Sequence, residues 1–294
     1  MSQQSDEIAW IEGRIVPVRE ARIPVLDHGF LFGDGVFEGI RLTRRGIFRF
    51  DDHLGRLATA ARAVGIEVPG GFDRVRDVAR ETTRAWGARP GYLRLILSRG
   101  VGALGIDPAS CPEASIVCIA APDSALAPEL EARGLDLVTA SLRRPSADVL
   151  DPRIKSLNYL NNVLAKREAT LRGADDALVL NARGLVAEAS ATNVFLLQGE
   201  RLETPPVTDG ALEGITRRTV LEIGLELGFE VSERSLGRFD LYAADGVFLT
   251  GSRAGLVPVG SLDGSAISQS ARPAFAQIRE AFEDRVERLS TPVD

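Results

Sequence analysis

Lys155 stands in Arg153-Ile154-Lys155-Ser156-Leu157-Asn158-Tyr159, just past the middle of the chain. Asp151-Pro152 before it favours an extended or turning backbone, and a helix is predicted after it from about Asn158 to Arg172. A lysine flanked by Ile154 and Leu157 loses solvation and can offer a free amine to a carbonyl carbon. Most lysines simply keep their heads in water, so Lys155 gains meaning only if other stretches point to the same chemistry. Glu188 ends an apolar run in Val186-Ala-Glu-Ala-Ser-Ala-Thr-Asn193. A carboxylate buried there needs a cationic partner, and a protonated pyridine nitrogen would serve. Gly214-Ile215-Thr216-Arg217 opens a predicted helix, where free amides at the positive end of the dipole suit a phosphate. Thr250-Gly251-Ser252 follows an apolar strand and offers two hydroxyls and a flexible amide. Arg56 and His53 sit one helical turn apart; Arg56 could reach a phosphate or pair with Asp52 on the helix surface. Each stretch also has a plain structural reading, as a helix start, a turn or a surface acid.

The elements that must position these residues follow from periodicity. Ile8–Ile11 and Arg14–Val18 alternate around Glu12-Gly13, which reads as a hairpin. The glycines of Phe32-Gly33-Asp34-Gly35-Val36-Phe37-Glu38-Gly39-Ile40-Arg41 are spaced wrongly for a dinucleotide loop and read as a strand with close backbone approach. A short strand, Ile47–Phe50, leads to Asp51-Asp52, the predicted N-caps of a helix with Leu54, Leu57, Ala58, Ala61 and Val64 on one face. A second helix covers Asp73–Trp86, and strands are predicted over Tyr92–Ser98 and Ala114–Ala120. The expected organisation is a small α+β domain over 1–121, a linker over 122–129 and a larger domain over 130–294. In the second domain a strand over Leu135–Leu142 precedes a meander from Asp176 to Thr204. After it come a helix over Thr216–Leu227, strands near Glu230–Ser235 and Gly246–Thr250, and a charged helix over Gln269–Leu289.

A net charge of −6 and a pI near 5.2 argue against nucleic acid or an anionic membrane as partner. The arginines are scattered among acids, with Arg143-Arg144 and Arg217-Arg218 only as pairs. Two cysteines and two histidines starve any zinc site, so no metal is expected. The polar N-terminus lacks the pattern of a signal peptide, and no apolar run approaches the ~20 residues that span a bilayer. A cytoplasmic, soluble protein is expected.

A lysine, a carboxylate, an anion-binding helix start and an arginine together meet the needs of pyridoxal 5′-phosphate: an amine for its aldehyde, a partner for its ring nitrogen and a cradle for its phosphate. On these residues the chain closely resembles the class IV aminotransferases, the fold-type IV pyridoxal-phosphate enzymes. The resemblance runs from about Ala9 to Gly260. It is carried by residues 32–41, HisLeuGlyArgLeu (53–57), LysSerLeuAsnTyrLeuAsnAsn (155–162), GluAlaSerAlaThrAsnValPhe (188–195), GlyIleThrArg (214–217) and ThrGlySer (250–252), in that order. It implies that Lys155 bonds the cofactor's aldehyde, that Tyr159 bonds its phenolic oxygen and that Glu188 keeps its ring nitrogen protonated. Arg56, the amides of Ile215 and Thr216, and the region of Thr250 and Ser252 are implied to hold the phosphate. It also implies two domains with the cofactor at their interface, a homodimer or an assembly of dimers, and a loop, Gly100 to Pro108, reaching the neighbouring subunit's site.

Within the family, Tyr92-Leu-Arg94 is similar to the Tyr-x-Arg strand of branched-chain enzymes, which implies that Tyr92 and the turn at Ser252-Arg253 hold the substrate carboxylate and Arg94 the second carboxylate of glutamate. Phe32 and Phe37 are implied to line an apolar side-chain pocket. Two positions depart from the branched-chain pattern: Phe32 replaces the usual tyrosine, and Arg253-Ala254-Gly255 replaces Ala-Ala-Glu. The expected reaction is transfer of an amino group between L-leucine, L-isoleucine or L-valine and 2-oxoglutarate. D-amino-acid aminotransferases, aminodeoxychorismate lyases and a non-catalytic carrier are the alternatives.

Overall fold

A computed structural model describes residues 6–123 and 127–293. The chain divides into two compact units. The first comprises Met1–Ser124, Ile154–Asn158 and Val286–Asp294; the second comprises Ala125–Arg153 and Tyr159–Arg285. The predicted linker falls partly on residues 124–126, which lie outside the described residues.

The first unit holds β1 (Ile8–Ile11), β2 (Arg14–Pro17), α1 (His28–Phe32), β3 (Gly35–Thr43), β4 (Gly46–Phe48), α2 (Phe50–Ala63), α3 (Gly71–Trp86), β5 (Gly91–Ser98) and β6 (Ser115–Ala121). Its sheet runs β4-β3-β5-β6-β1-β2, and the returning strand Ser290–Thr291 pairs with β4. Alternation along β3 and β5 sends Val36, Ile40, Leu42, Leu93, Leu95 and Leu97 into one core, where α2 adds Leu54 and Leu57 and α3 adds Val75 and Val78. The expected Asp51-Asp52 cap is not formed. The helix starts at Phe50, its cap is Arg49 at φ 46°, and both aspartates lie in the first turn, where they still suit the dipole. Close approach does explain Gly35, where a Cβ would stand 2.7 Å from Leu97 O. Gly33 instead caps α1 at φ 69°.

The second unit contains α4 (Pro128–Arg133), β7 (Leu135–Arg143), α5 (Ala147–Leu150), α6 (Leu160–Leu171), β8 (Asp176–Leu180), β9 (Val186–Ala189), β10 (Asn193–Gln198), β11 (Arg201–Thr204), α7 (Ile215–Glu226), β12 (Glu230–Glu233), α8 (Arg238–Ala243), β13 (Gly246–Gly251), β14 (Gly255–Leu262) and most of α9 (Arg272–Arg288). The sheet order is β12-β11-β10-β13-β14-β7-β8-β9. Most pairs are antiparallel, with β11–β12, β14–β7 and β7–β8 parallel. The expected meander is broken in its middle: β9 pairs with β8, while β10 pairs with β11 and β13. Local alternation found the strands, but pairing across about fifty residues chose the neighbours. β14 was not expected, because Pro258 and Gly260 interrupt its apolar run. The face of α6 turned inward carries Asn162, Ala165 and Ala169, and its large apolar residues Leu160, Val163 and Leu164 are exposed.

Candidate active site

In the first unit the Lys155 segment lies along the free edge of β3. Val36 and Ser156 form an antiparallel bridge, Phe37 N donates to Lys155 O at 2.9 Å, and Leu157 N donates to Gly35 O at 2.9 Å. Lys155 is half-buried, with Nζ 4.6 Å from the centre of the Phe37 ring. The Arg94 guanidinium lies 4.2 Å from the same ring. Strand register explains the grouping: Phe37, Gly39 and Arg41 on β3 face the same way as Ile96, Arg94 and Tyr92 opposite them on β5. The Tyr92 hydroxyl sits over Gly39, and a Cβ there would stand 1.9 Å from it. The fold therefore brings together four expected residues, Lys155, Phe37, Tyr92 and Arg94. Phe32 lies on α1, packing edge-on against His28 with ring centres 4.9 Å apart.

Arg56 belongs to a cluster on the opposite face of β3. Its Nε and Nη2 donate to the two oxygens of Glu38 at 2.7 Å each, and His53 Nδ1 lies 2.7 Å from Glu38 Oε2. Asp52 bonds Arg49 instead. Burial alone would raise the Glu38 carboxyl, but Arg56 and His53 overcome it and hold the group far below the usual carboxylate range. Burial pushes the His53 imidazole down, opposed by Glu38 and reinforced by the charges of Arg56 and Lys155. A neutral His53 then donates Nδ1–H to Glu38, while its buried Nε2 has no hydrogen-bond partner among the described residues. Glu38 lay inside a motif already singled out, yet only the folded α2 reveals what it holds.

The second unit gathers the other set. Glu188 on β9 is 6% exposed. Its Oε1 accepts from Arg144 Nη2 at 2.8 Å, and its Oε2 accepts from Leu212 N at 3.0 Å and Asn193 Nδ2 at 3.2 Å. These donors favour the ionised carboxylate. Arg144 and Asn193 were missed as functional candidates; Asn193 sat within a motif, and Arg144 looked like half of an arginine pair. Asn193 pairs across the sheet with Thr250, and its Oδ1 fills the space beside Gly214, where a Cβ would come within 2.1 Å. Gly214 has φ −69°, a backbone any residue can adopt, so close approach is what requires glycine. Ile215 and Thr216 open α7, where the first amides of a helix lack internal partners. The hydroxyls of Thr216 and Thr250 are buried and have no hydrogen-bond partner among the described residues. Buried hydroxyls left unpaired beside open helix amides are what a phosphate would satisfy, so the residues present fit the cofactor. Ser252 and Arg253 lie in the β13–β14 turn, closed by Gly255 at φ 65°, with Ser252 half-buried and Arg253 exposed. Tyr159 caps the N-terminus of α6.

Residues 35–262 match the family described as "Amino-transferase class IV". The chain belongs to this family. A Methanocaldococcus jannaschii protein, provisionally named a branched-chain-amino-acid aminotransferase, is 41% identical over 276 residues, covering 94% of this chain and 95% of its own. The crystal structure of the Escherichia coli branched-chain amino acid aminotransferase superposes with a TM-score of 0.92 at 29% identity, covering 99% of this chain and 100% of the other. The branched-chain amino acid aminotransferase from Thermobaculum terrenum, solved in its PLP-form, superposes with a TM-score of 0.85 at 32% identity, covering 99% of this chain and 100% of the other. This class IV aminotransferase thus resembles enzymes of the branched-chain type over its whole described length. Among its described residues no helix is long and apolar enough to cross a membrane, and none form a metal-binding group.

Proposed function

We infer that this pyridoxal-phosphate-dependent aminotransferase moves amino groups between branched-chain L-amino acids and 2-oxoglutarate. The observation that carries the cofactor assignment is the pair of unpartnered threonine hydroxyls, Thr216 at the start of α7 and Thr250 on β13, the latter paired across the sheet with Asn193, which donates to Glu188. When bound, the cofactor supplies an aldehyde for the amino group and a ring that withdraws electrons from the donor's Cα. Lys155 would hold the aldehyde through its Nζ, and the same amine, once free, would act as the base that carries the Cα proton. Glu188 would pair with the protonated ring nitrogen, and Tyr159 would bond the phenolic oxygen. Thr216, Thr250, Ser252, the amides of Ile215 and Thr216, and Arg56 would hold the phosphate. Tyr92 and the Ser252-Arg253 turn orient the substrate carboxylate, and Arg94 takes the second carboxylate of glutamate. Phe37 and Phe32 offer the apolar surface for a branched side chain.

The branched-chain relatives favour this reading over the D-amino-acid and lyase alternatives. A half-reaction panel, following the cofactor's absorption on mixing with single L- and D-amino acids, checks it. Conversion by L-leucine, L-isoleucine and L-valine is expected; conversion by D-alanine or D-glutamate alone would overturn it. Lys155→Ala is expected to keep part of its cofactor affinity through the phosphate contacts and to lose turnover to background.

We further propose a homodimer in the cytoplasm. Val25, Phe30, Leu104 and Ile106, between 67% and 82% exposed, lie on two segments of the first unit joined by His28 N to Gly100 O and Gly102 N to Leu26 O bonds. Exposed apolar residues on adjoining segments of this kind suit a second copy of the chain. Cys111 and Cys118 are both free, in keeping with a reducing compartment.

A further inference from the structure

Arg144 follows β7 directly, and its amide donates to Leu180 O at 2.9 Å. Its side chain is buried among polar groups of the second unit, at 6% exposure for the residue. Nη2 donates to Glu188 Oε1 at 2.8 Å, and Nη1 donates to the Oδ1 atoms of Asn161 and Asn162 at 3.2 Å each. Asn162 is itself fixed by donating to Ser190 O at 2.6 Å. Gly210, at φ 103°, leaves the room the arginine needs: a Cβ there would stand 2.9 Å from Arg144 Cγ. The guanidinium is therefore set against one oxygen of Glu188, away from solvent screening, while Leu212 N and Asn193 fix the other oxygen.

We propose that Arg144 is a positioning residue for transamination, which decides through Glu188 on which atom the ring-nitrogen proton rests. This rests on Glu188 being the partner of that nitrogen. A buried carboxylate beside a buried guanidinium has its proton affinity lowered, so the proton shared with a facing pyridine stays on nitrogen. Without the guanidinium the same carboxylate, still desolvated, becomes the stronger base. One N–H bond then breaks, one O–H bond forms on Glu188, and the ring loses the positive charge that withdraws electrons from the donor's Cα.

The test uses holoenzyme loaded with pyridoxal phosphate carrying ¹⁵N in the ring, observed by NMR at neutral pH. The parent gives a pyridinium signal. Arg144→Gln keeps a donor but removes the charge; its signal moves towards neutral pyridine, and kcat falls by roughly tenfold or more with KM little changed, the scale on which groups behind a ligating residue act. Arg144→Lys keeps the charge and holds a signal close to the parent's. Glu188→Gln moves the signal whatever stands at 144. If Arg144→Gln leaves the signal in place while Glu188→Gln moves it, the role of Arg144 falls and that of Glu188 stands. If Glu188→Gln leaves it in place, the Glu188 reading falls and this inference with it. A lysine variant whose signal moves as far as that of the glutamine variant overturns the electrostatic account, even if the glutamine variant fails to fold.

Discussion

Thr216 and Thr250 carry a test that separates binding from folding. Replacing an unpaired buried hydroxyl by a methyl relieves a desolvation cost, so Thr250→Val without cofactor should be as stable as the parent, or more so by about 1 kcal/mol. The same change removes a hydrogen bond to a charged phosphate, and cofactor affinity should fall by about tenfold. Thermal melts and cofactor titrations on one preparation check both signs. His53 yields a pH signature. The folded chain holds it neutral, whereas the unfolded chain binds a proton below about pH 6.5. Stability should therefore fall on acidification below that value, by about 1.4 kcal/mol per pH unit, until the folded imidazole itself titrates. Urea melts from pH 7 to 5 should show this slope, and His53→Gln should lack it. Glu38 acts in a lower range: its depressed carboxyl stabilises fully above the ordinary carboxylate pKa of about 4.3 and loses that contribution only as pH falls through its folded value. Cys118 lies buried in the sheet with its thiol pushed up to about 12 by burial, so alkylation at pH 8 should reach it only after unfolding.

At the scale of elements, β3 serves two faces at once. One face presents Phe37 and Gly39 beside Arg94, and the other sends Glu38 towards α2. Gly39→Ala is expected to fold, because its new methyl meets the end of a flexible side chain, but the Tyr92 hydroxyl must leave its place. If that hydroxyl helps hold the substrate carboxylate, KM for the amino donor should rise about tenfold, the equivalent of one lost hydrogen bond, with little change in melting temperature. Gly46→Ala should behave oppositely: its Cβ would lie 1.9 Å from the Thr291 carbonyl oxygen, and at φ 139° the backbone itself disfavours a side chain. Melting temperature should drop there, by several degrees, as strand Ser290–Thr291 loses its place on β4.

For the whole molecule, the proposed homodimer is tested at the apolar residues left in water. Ile106 and Leu104, at 82% and 74% exposure, sit on a loop that contributes no large side chain to the core of its own unit. If the proposed homodimer forms through this loop, Ile106→Asp combined with Leu104→Asp should leave the unfolding cooperative while shifting the species seen by sedimentation velocity towards monomer. An unchanged dimer would move the interface elsewhere, for instance to the exposed Leu160, Val163 and Leu164 of α6. That helix shows a limit of periodicity. Its spacing predicts a helix correctly, but its leucines face out and its alanines face in, because the close approach of β7 and β8 leaves room only for small side chains.

The sequence by itself determined the family, the cofactor and most of the strands and helices, because glycines, a lysine and an acid in a fixed order are local chemical requirements. Only the tertiary structure decided what each charge answers to. Arg56 bonds Glu38 across eighteen positions, and Glu188 meets Arg144 across forty-four. The chain returns at Ile154–Asn158 to lay Lys155 along β3. Such pairings depend on which strands become neighbours. Sheet register and the filling of the two cores set that, and neither leaves a periodic trace in the residues themselves.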